Sequence, residues 1–241
     1  MSRVITGPRF VREAVEGPRA GELEALYIDA ARERSLEPLA EAARARGVPV
    51  EYRPRAALDR LAHGVRHQGA VAVARAYGYV DPLSLLSIEA PLLVALDEVT
   101  DPHNFGAIIR SAVAFGADGV VVPKRRSATV TPVVVRASAG ATEHARIAPV
   151  TNLSRFLLSA GAAGIDVVGL AADGDLPLSE LGPAPLGRVF VIGSEGRGLR
   201  RLVRERCGRL VFIPQTGPIA SLNASVAAGV ALYEASRSRI V

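Results

Sequence analysis

The chain has 241 residues, 49% hydrophobic and 22% charged, enough for one large packed domain or two small ones and outside the composition of a disordered chain. No apolar run reaches the roughly 18 residues of a membrane span, the first ten residues lack the apolar stretch of a secretory signal, and the one cysteine, Cys207, leaves neither a disulfide framework nor a multi-cysteine zinc site. These exclusions predict a soluble, cytoplasmic protein. Its net charge of +5 is weakly suggestive of a polyanionic partner, and the excess is unevenly placed. Arg188 to Arg209 holds seven arginines against Glu195 and Glu205, and Lys124-Arg125-Arg126 forms a second cluster. From charge alone, a solvated surface and a phosphate-tracking face are equally good readings.

Taken in chain order, residues 10–15 read as a short helix, 23–29 as a strand, 38–47 as a helix closed by Gly47, 48–52 as a strand and 56–62 as a helix. Residues 69–77 read as a strong strand. This makes a small α/β domain over residues 1–80. The stretch 81–91, with two prolines, reads as a linker. In the second domain, 92–241, the apolar run 92–99 fits a buried parallel strand. A helix follows over 104–117, with further strands at 118–123, 165–172, 187–194 and 209–214 and a terminal helix starting near Ser221. Alternation of this kind predicts a parallel sheet with helices on both faces.

Three stretches carry polar residues at strand ends, where open α/β sheets place ligands. The first is DPHNFGAIIR, 101–110, where Asn104 reads as a helix N-cap and Arg110 follows six positions later. Taken alone, an N-cap and a surface arginine are the better explanation of it. The second is VFVIGSEGRGL, 189–199, with Gly193, Gly196 and Gly198 around Ser194 and Glu195. Its glycine order is not that of a dinucleotide fingerprint, and it lacks the G-x-S-x-G of a hydrolase elbow. The third is FIPQTGPIASLNASVAAGVALYE, 212–234, with Ser221 and Asn223 beside an apolar Leu222 at a helix start. The chain has only three asparagines, and two of them fall in these stretches. Together the stretches read as one site built from three loops.

TDPHNFGAIIRSAVAFGADGVVV, VIGSEGRGL and IPQTGPIASLNASVAAGVALYE resemble, in order and spacing, the three motifs of the SpoU family of RNA ribose 2'-O-methyltransferases in the SPOUT superfamily. YIDAARERSLEPLAEAARARGVPVEY and VRHQGAVAVA resemble the ribosomal-protein-like substrate-binding domain that accompanies the family's rRNA enzymes. The resemblance implies an α/β fold of SPOUT type with a C-terminal trefoil knot, which patterning alone would not indicate, and a small N-terminal α/β domain. It implies S-adenosylmethionine as cofactor, with Gly193, Ile213 and Leu222 giving backbone contacts and Leu170 lining the adenine side. It also implies a homodimer. The likeness is strongest to the family's 23S rRNA guanosine-2'-O-methyltransferases, which makes 23S rRNA the expected partner.

The implied catalytic set is Asn104, Arg110, Glu195, Ser221 and Asn223. Arg110 stands at the position to which the family assigns removal of the ribose proton. A guanidinium is a poor base, so holding the phosphate and stabilising the developing alkoxide is the preferred role, with proton abstraction left open. Asn104, Ser221 and Asn223 would position Arg110 and the ribose, and Glu195 would organise its loop. Gln215, Ala224 and Phe105 depart from the Met, Val and Leu that the resemblance leads one to expect there, outside the catalytic set. Methyl transfer from a sulfonium needs no metal. His63 and His67 stand at i, i+4 spacing without a third ligand, and Cys207 reads as a small buried residue. The same reaction on another rRNA nucleotide or on tRNA, including antibiotic-resistance methylation, and a non-catalytic RNA-binding assembly factor are the alternatives.

Overall fold

The computed structural model describes residues 2–218 and 221–237. In chain order the elements are β1 (Arg3–Thr6), α1 (Pro8–Glu16), β2 (Leu23–Asp29), α2 (Glu33–Ala45), β3 (Val50–Arg53), α3 (Arg55–Leu61), β4 (Ala70–Ala74), α4 (Pro82–Leu86), β5 (Leu92–Asp97), α5 (Pro102–Ala114) and β6 (Gly119–Pro123). They continue with α6 (Pro132–Ala137), β7 (Ile147–Val150), α7 (Leu153–Ala162), β8 (Asp166–Leu170), β9 (Leu176–Pro177), β10 (Arg188–Gly193), α8 (Arg201–Arg204), β11 (Arg209–Phe212) and α9 (Ala224–Arg237).

The chain divides into two compact units, one of residues 1–78 and 130–144, the other of residues 79–129 and 145–241. The segment 130–144 lies in the second domain by sequence order, yet it packs with the first unit. Two contributions hold it there. Val135 joins the apolar core formed by Ile5, Val11, Leu26, Ile28 and Leu39, with Val130 against it. Glu143, wholly buried, takes the guanidinium of Arg3 on β1. The sheet of this unit has the order β1-β4-β2-β3, antiparallel except for the parallel pair β2/β3. Helix α2 starts five residues earlier than the sequence reading placed it and contains Pro38. Pro38 sits at the sixth helical position, just past the four N–H groups that have no helical partner, so it costs α2 one hydrogen bond, to the Arg34 carbonyl.

The second unit is a seven-stranded sheet of order β7-β6-β5-β10-β8-β11-β9, and its neighbouring strands pair in parallel throughout. This is the α/β architecture with a parallel sheet that the strand–helix alternation predicts. Strand β5 is buried along its whole length, as expected of a strand covered on both faces. On one face Leu93, Ala95, Val121, Ala148, Val189 and Val191 pack with Leu153, Phe156 and Leu157 of α7. α5 and α9 lie side by side, with the Phe115 and Tyr233 rings edge to face at 5.8 Å. Close approach needs a small residue on α9: a methyl group at Gly229 would already stand 3.5 Å from the Ser111 hydroxyl. No helix among the described residues is long and apolar enough to cross a membrane.

The order of strands places β5 and β10 side by side, while β6 and β7 continue outward beyond β5, and β8, β11 and β9 beyond β10. The chain therefore reverses its direction of growth across the sheet at β5/β10. Outside the carboxyl ends at such a reversal lies the crevice in which open α/β folds bind ligands.

Candidate active site

Three loops leave the carboxyl ends of β5, β10 and β11, and each brings one polar side chain to a common point. Asn104 donates from Nδ2 to Glu195 Oε1 at 2.9 Å. Asn223 donates from Nδ2 to Asn104 Oδ1 at 2.9 Å and also to Glu195 Oε1. Asn104 is buried, while Glu195 and Asn223 are exposed. One carboxylate oxygen thus gathers two amide groups from loops 28 and 91 residues away in sequence.

Each loop is held by local structure. In the first, the sequence reading assigns the N-cap of α5 to Asn104, and the structure assigns it to Asp101. The Asp101 carboxylate accepts from the N–H groups of His103 and Asn104. Pro102 stands at the first helical position, where its fixed φ and missing N–H cost nothing. Asn104 is therefore inside the first turn, and its side chain is released from capping to reach Glu195.

In the second loop the chain doubles back so that Ser194 pairs with Gly198. A Cβ at Gly193 would lie 2.3 Å from the carbonyl carbon of Gly198, so glycine is required there, and Gly196 and Gly198, with φ of +78° and +64°, stand where glycine is favoured. The loop's far end is fixed by Asp97, fully buried at the end of β5. Its carboxylate accepts from the N–H and the Nε of Arg200, each at 2.7 Å. That tie was not read from the sequence, because its two residues lie 103 positions apart.

In the third loop α9 begins at Ala224, three residues after the predicted start near Ser221. The Asn223 Oδ1 accepts from the N–H of Ser225 at 2.8 Å and of Val226 at 3.3 Å, which is an N-cap. Asn223 uses its carbonyl to cap the helix and its amide nitrogen to hold Glu195 and Asn104. Ser221 and Leu222 are exposed just before it.

Arg110 is also exposed. Among the described residues no hydrogen bond or ion pair reaches it from Asn104, Ser221 or Asn223. Helix geometry explains this: six residues turn by about 600° and rise by about 9 Å, so Arg110 points about 120° away from Asn104. Three of the four residues expected to contact a cofactor lie at strand ends that are neighbours in the sheet. Leu170 closes β8, Gly193 closes β10, Ile213 follows β11 and Leu222 precedes α9. Leu170 and Ile213 are half-buried, and Leu222 is exposed.

His67 and Cys207 have structural roles. Both ring nitrogens of buried His67 are engaged: Nε2 meets Asp59 Oδ1 at 2.9 Å and Nδ1 accepts from the Gly69 N–H. Among the described residues no group of three or more His, Cys, Asp or Glu side chains is placed to hold a metal. Cys207 packs partly buried against the core beside α7. Burial pushes its thiol up to about 12, with the Asp97 carboxylate adding to the effect and Arg204 opposing it.

Residues 91–233 match the SpoU rRNA Methylase family and residues 4–80 match the RNA 2'-O ribose methyltransferase substrate binding family. The chain belongs to the SpoU methylase family. It is 47% identical over 248 residues to an uncharacterized tRNA/rRNA methyltransferase of Mycolicibacterium vanbaalenii, covering 99% of this chain and 77% of the relative. A Mycobacterium relative (strain KMS) with the same description is 51% identical over 199 residues, and the match spans 63% of that protein's length and 80% of this chain. Among solved structures, the AdoMet-bound rRNA methyltransferase from Sinorhizobium meliloti superposes with a TM-score of 0.79 at 28% identity, covering 98% of this chain and 87% of that one. The SpoU methyltransferase AviRb from Streptomyces viridochromogenes, in complex with AdoMet, gives 0.78 at 30% identity over 99% of this chain and 91% of that one.

Proposed function

We propose that the protein transfers a methyl group from S-adenosylmethionine to a ribose 2'-hydroxyl of 23S rRNA, at a guanosine, in the cytoplasm. The observation that carries this reading is the hydrogen-bonded meeting of Asn104, Glu195 and Asn223 from three loops at the carboxyl edge of a SpoU-type sheet. The AdoMet-bound state of the two solved neighbours supports the choice of cofactor. So does the lining available here, with half-buried Leu170 and Ile213 and exposed Leu222 offering apolar surface, and the tight Gly193–Gly198 turn keeping backbone groups accessible at the end of β10. The second family match, to an RNA substrate-binding module, supports RNA as partner.

In this reading S-adenosylmethionine supplies an electrophilic methyl group already activated by its sulfonium. The protein's own residues orient the ribose and accommodate the negative charge that develops on its oxygen as the hydroxyl proton passes to water. Arg110, exposed and with no protein partner among the described residues, meets the RNA phosphate and the developing alkoxide. Asn104 and Asn223, locked to Glu195, fix the relative positions of the three loops, so that the cofactor edge and the ribose edge are held together before substrate arrives. Ser221 completes the polar rim. We also carry the trefoil knot at the C-terminal side of the sheet as part of this proposal.

The same reading includes a homodimer. α9 leaves Val226, Val230 and Tyr233 exposed at i, i+4 and i+7, in line with exposed Leu222, an apolar stripe of the kind that marks an interface. Light scattering is expected to give twice the chain mass, falling to one chain in a Val226→Asp, Val230→Asp variant.

The deciding experiment is methyl transfer from labelled S-adenosylmethionine to unmodified 23S rRNA, 16S rRNA and tRNA, with the product mapped by primer extension sensitive to ribose methylation. The expected result is one 2'-O-methylated guanosine in 23S rRNA. Label at another nucleotide would keep the reaction and change the substrate. No transfer to any RNA, with cofactor bound, would overturn the reading in favour of a non-catalytic binding factor.

A further inference from the structure

Two of the loops that build the cluster continue into a second feature. Glu98 follows Asp97 on the way from β5 to Asp101, and Arg200 follows the loop that carries Glu195. Both line a cavity of about 650 Å³, together with Arg125, Arg126, Arg201, Leu202 and the first turn of α7. This lies within the roughly 300–1,000 Å³ of sites that take small molecules.

The charges that face it are unequal in availability. Arg200 is committed to Asp97 and stands 3.2 Å from Glu98, and Arg201 is paired with Glu205 at 2.7 Å. Arg126 has one long contact to Glu98, at 3.4 Å, and its side chain is 78% exposed. Arg125 is exposed and has no ion pair among the described residues. Four guanidiniums therefore surround one lining carboxylate, and two of them have capacity for an external anion. On α7, Asn152 spends its Oδ1 on capping Arg155, which leaves its amide N–H groups as donors beside the Ser154 hydroxyl. Leu202, 52% exposed, gives the cavity an apolar wall. Glu98 and Arg126, the ion-paired residues across the rim, both have φ of +58°, a conformation uncommon outside glycine and found where a site over-determines its backbone.

A rim of forked donors around an apolar wall fits a nucleotide, with phosphate on the guanidiniums and ribose or base against Leu202. We propose that this cavity seats one nucleotide of the RNA strand flanking the methylated residue, with its phosphate held by Arg125 and Arg126. The proposal rests on the reading of RNA as substrate. It makes Arg125 and Arg126 specificity residues: they set how the strand is registered against the reacting ribose and take no part in the transfer.

The test compares wild type with Arg125→Ala, Arg126→Ala and with Arg125→Lys, Arg126→Lys, using an unmodified 23S rRNA fragment. In the alanine variant the slope of log affinity against log salt is expected to fall by about 0.7–0.9, for the one phosphate left without its arginines. KM for RNA is expected to rise about tenfold or more, with kcat at saturating RNA within about twofold of wild type and cofactor affinity unchanged. The lysine variant is expected to restore the salt slope and only part of the affinity, since an ammonium keeps the charge without the fork. An alanine variant with wild-type KM and slope, or one that loses kcat alone, overturns the subsite and leaves the substrate reading standing. A wild type that neither binds nor methylates rRNA overturns both. Inorganic phosphate that competes as well as a dinucleotide would reduce the site to a simple anion hole and overturn the nucleotide assignment.

Discussion

Glu143 is the residue whose loss should do most to detach the returning segment 130–144 from the first unit. Its side chain is wholly buried and takes both terminal nitrogens of Arg3, with Arg3 Nη2 at 2.9 Å from Oε2. Arg3 is itself only 11% exposed and has a second partner in Glu22 at 3.0 Å, and its guanidinium lies 5.6 Å from the centre of the Tyr77 ring. Burial works against the charge on Arg3, and the carboxylates of Glu143 and Glu22 outweigh it, so its pKa ends above the ordinary value. Replacing Glu143 by Ala removes two charge-assisted hydrogen bonds, each worth about 1.5–3 kcal/mol. Glu22 remains as a partial partner, which places the loss near the low end of the roughly 3–5 kcal/mol typical of a broken buried pair. The expected destabilisation is therefore about 3 kcal/mol.

Hydrogen exchange read by mass spectrometry resolves it regionally. Peptides covering β1, β4 and residues 130–144 should lose protection, while those covering β5 and β10 keep theirs. A double-mutant cycle with Arg3→Met should return a coupling energy of about 2 kcal/mol, because the second replacement removes the charge that the first leaves unpaired. A Glu143→Ala protein that loses under about 1 kcal/mol, or a cycle that closes additively, would refute the claim that this pair holds the segment.

Asn223 carries two separable duties. Asn223→Asp is expected to keep the cap, since Asp caps as well as Asn, so thermal stability should change little. It also turns the carboxylate of position 223 against Glu195, so methyl transfer should fall by at least about tenfold. Asn223→Ala should lose the activity and about 1 kcal/mol of stability together. An Asp variant with full activity would refute the duty assigned to the amide. Asp101→Ala should cost about 1 kcal/mol through the lost cap of α5, measured by urea unfolding. Cys207 should resist alkylation at pH 8.5 in the native protein and react rapidly in urea, because burial holds its thiol protonated up to about pH 12. The unfolded thiol ionises from about pH 8.5–9, so the unfolded state loses its proton first and native stability should decline as pH rises through the window from about 9 to 12. Cys207→Ala should remove that part of the alkaline decline, and an unchanged decline would refute the assignment.

Much of the second unit is legible because its strands are apolar runs bounded by glycine, proline and polar residues, as β5, β6 and β10 are. What escapes the sequence is mostly non-local. Nothing near residues 130–144 signals that Val135 and Glu143 belong to a core and an ion pair built by residues 3 to 74, since burial partners are fixed by the fold and not by chain neighbours. The tie between Asp97 and Arg200 is hidden for the same reason. The misplaced cap of α5 is a different kind of error. Asp101 and Asn104 are both good caps, and the deciding signal was present in Pro102, which favours the first helical position and so points to the residue before it.

The three asparagines show how far such local reading carries into function. All three stand at helix starts. Asn152 ends its explanation there, since its Oδ1 caps α7 at Arg155. Asn223 also caps, but its amide nitrogen is spent elsewhere, and Asn104 caps nothing because Asp101 already does. A helix start needs an acceptor oxygen and has no use for an amide NH₂, so Asp, Ser or Thr would serve equally well in a purely structural role. At positions 104 and 223 the amide NH₂ groups meet one carboxylate, that of Glu195. That surplus of donors over what capping requires distinguishes a site from two well-made helix ends, and it is the reason the same two residues are expected to resist replacement by any other capping residue.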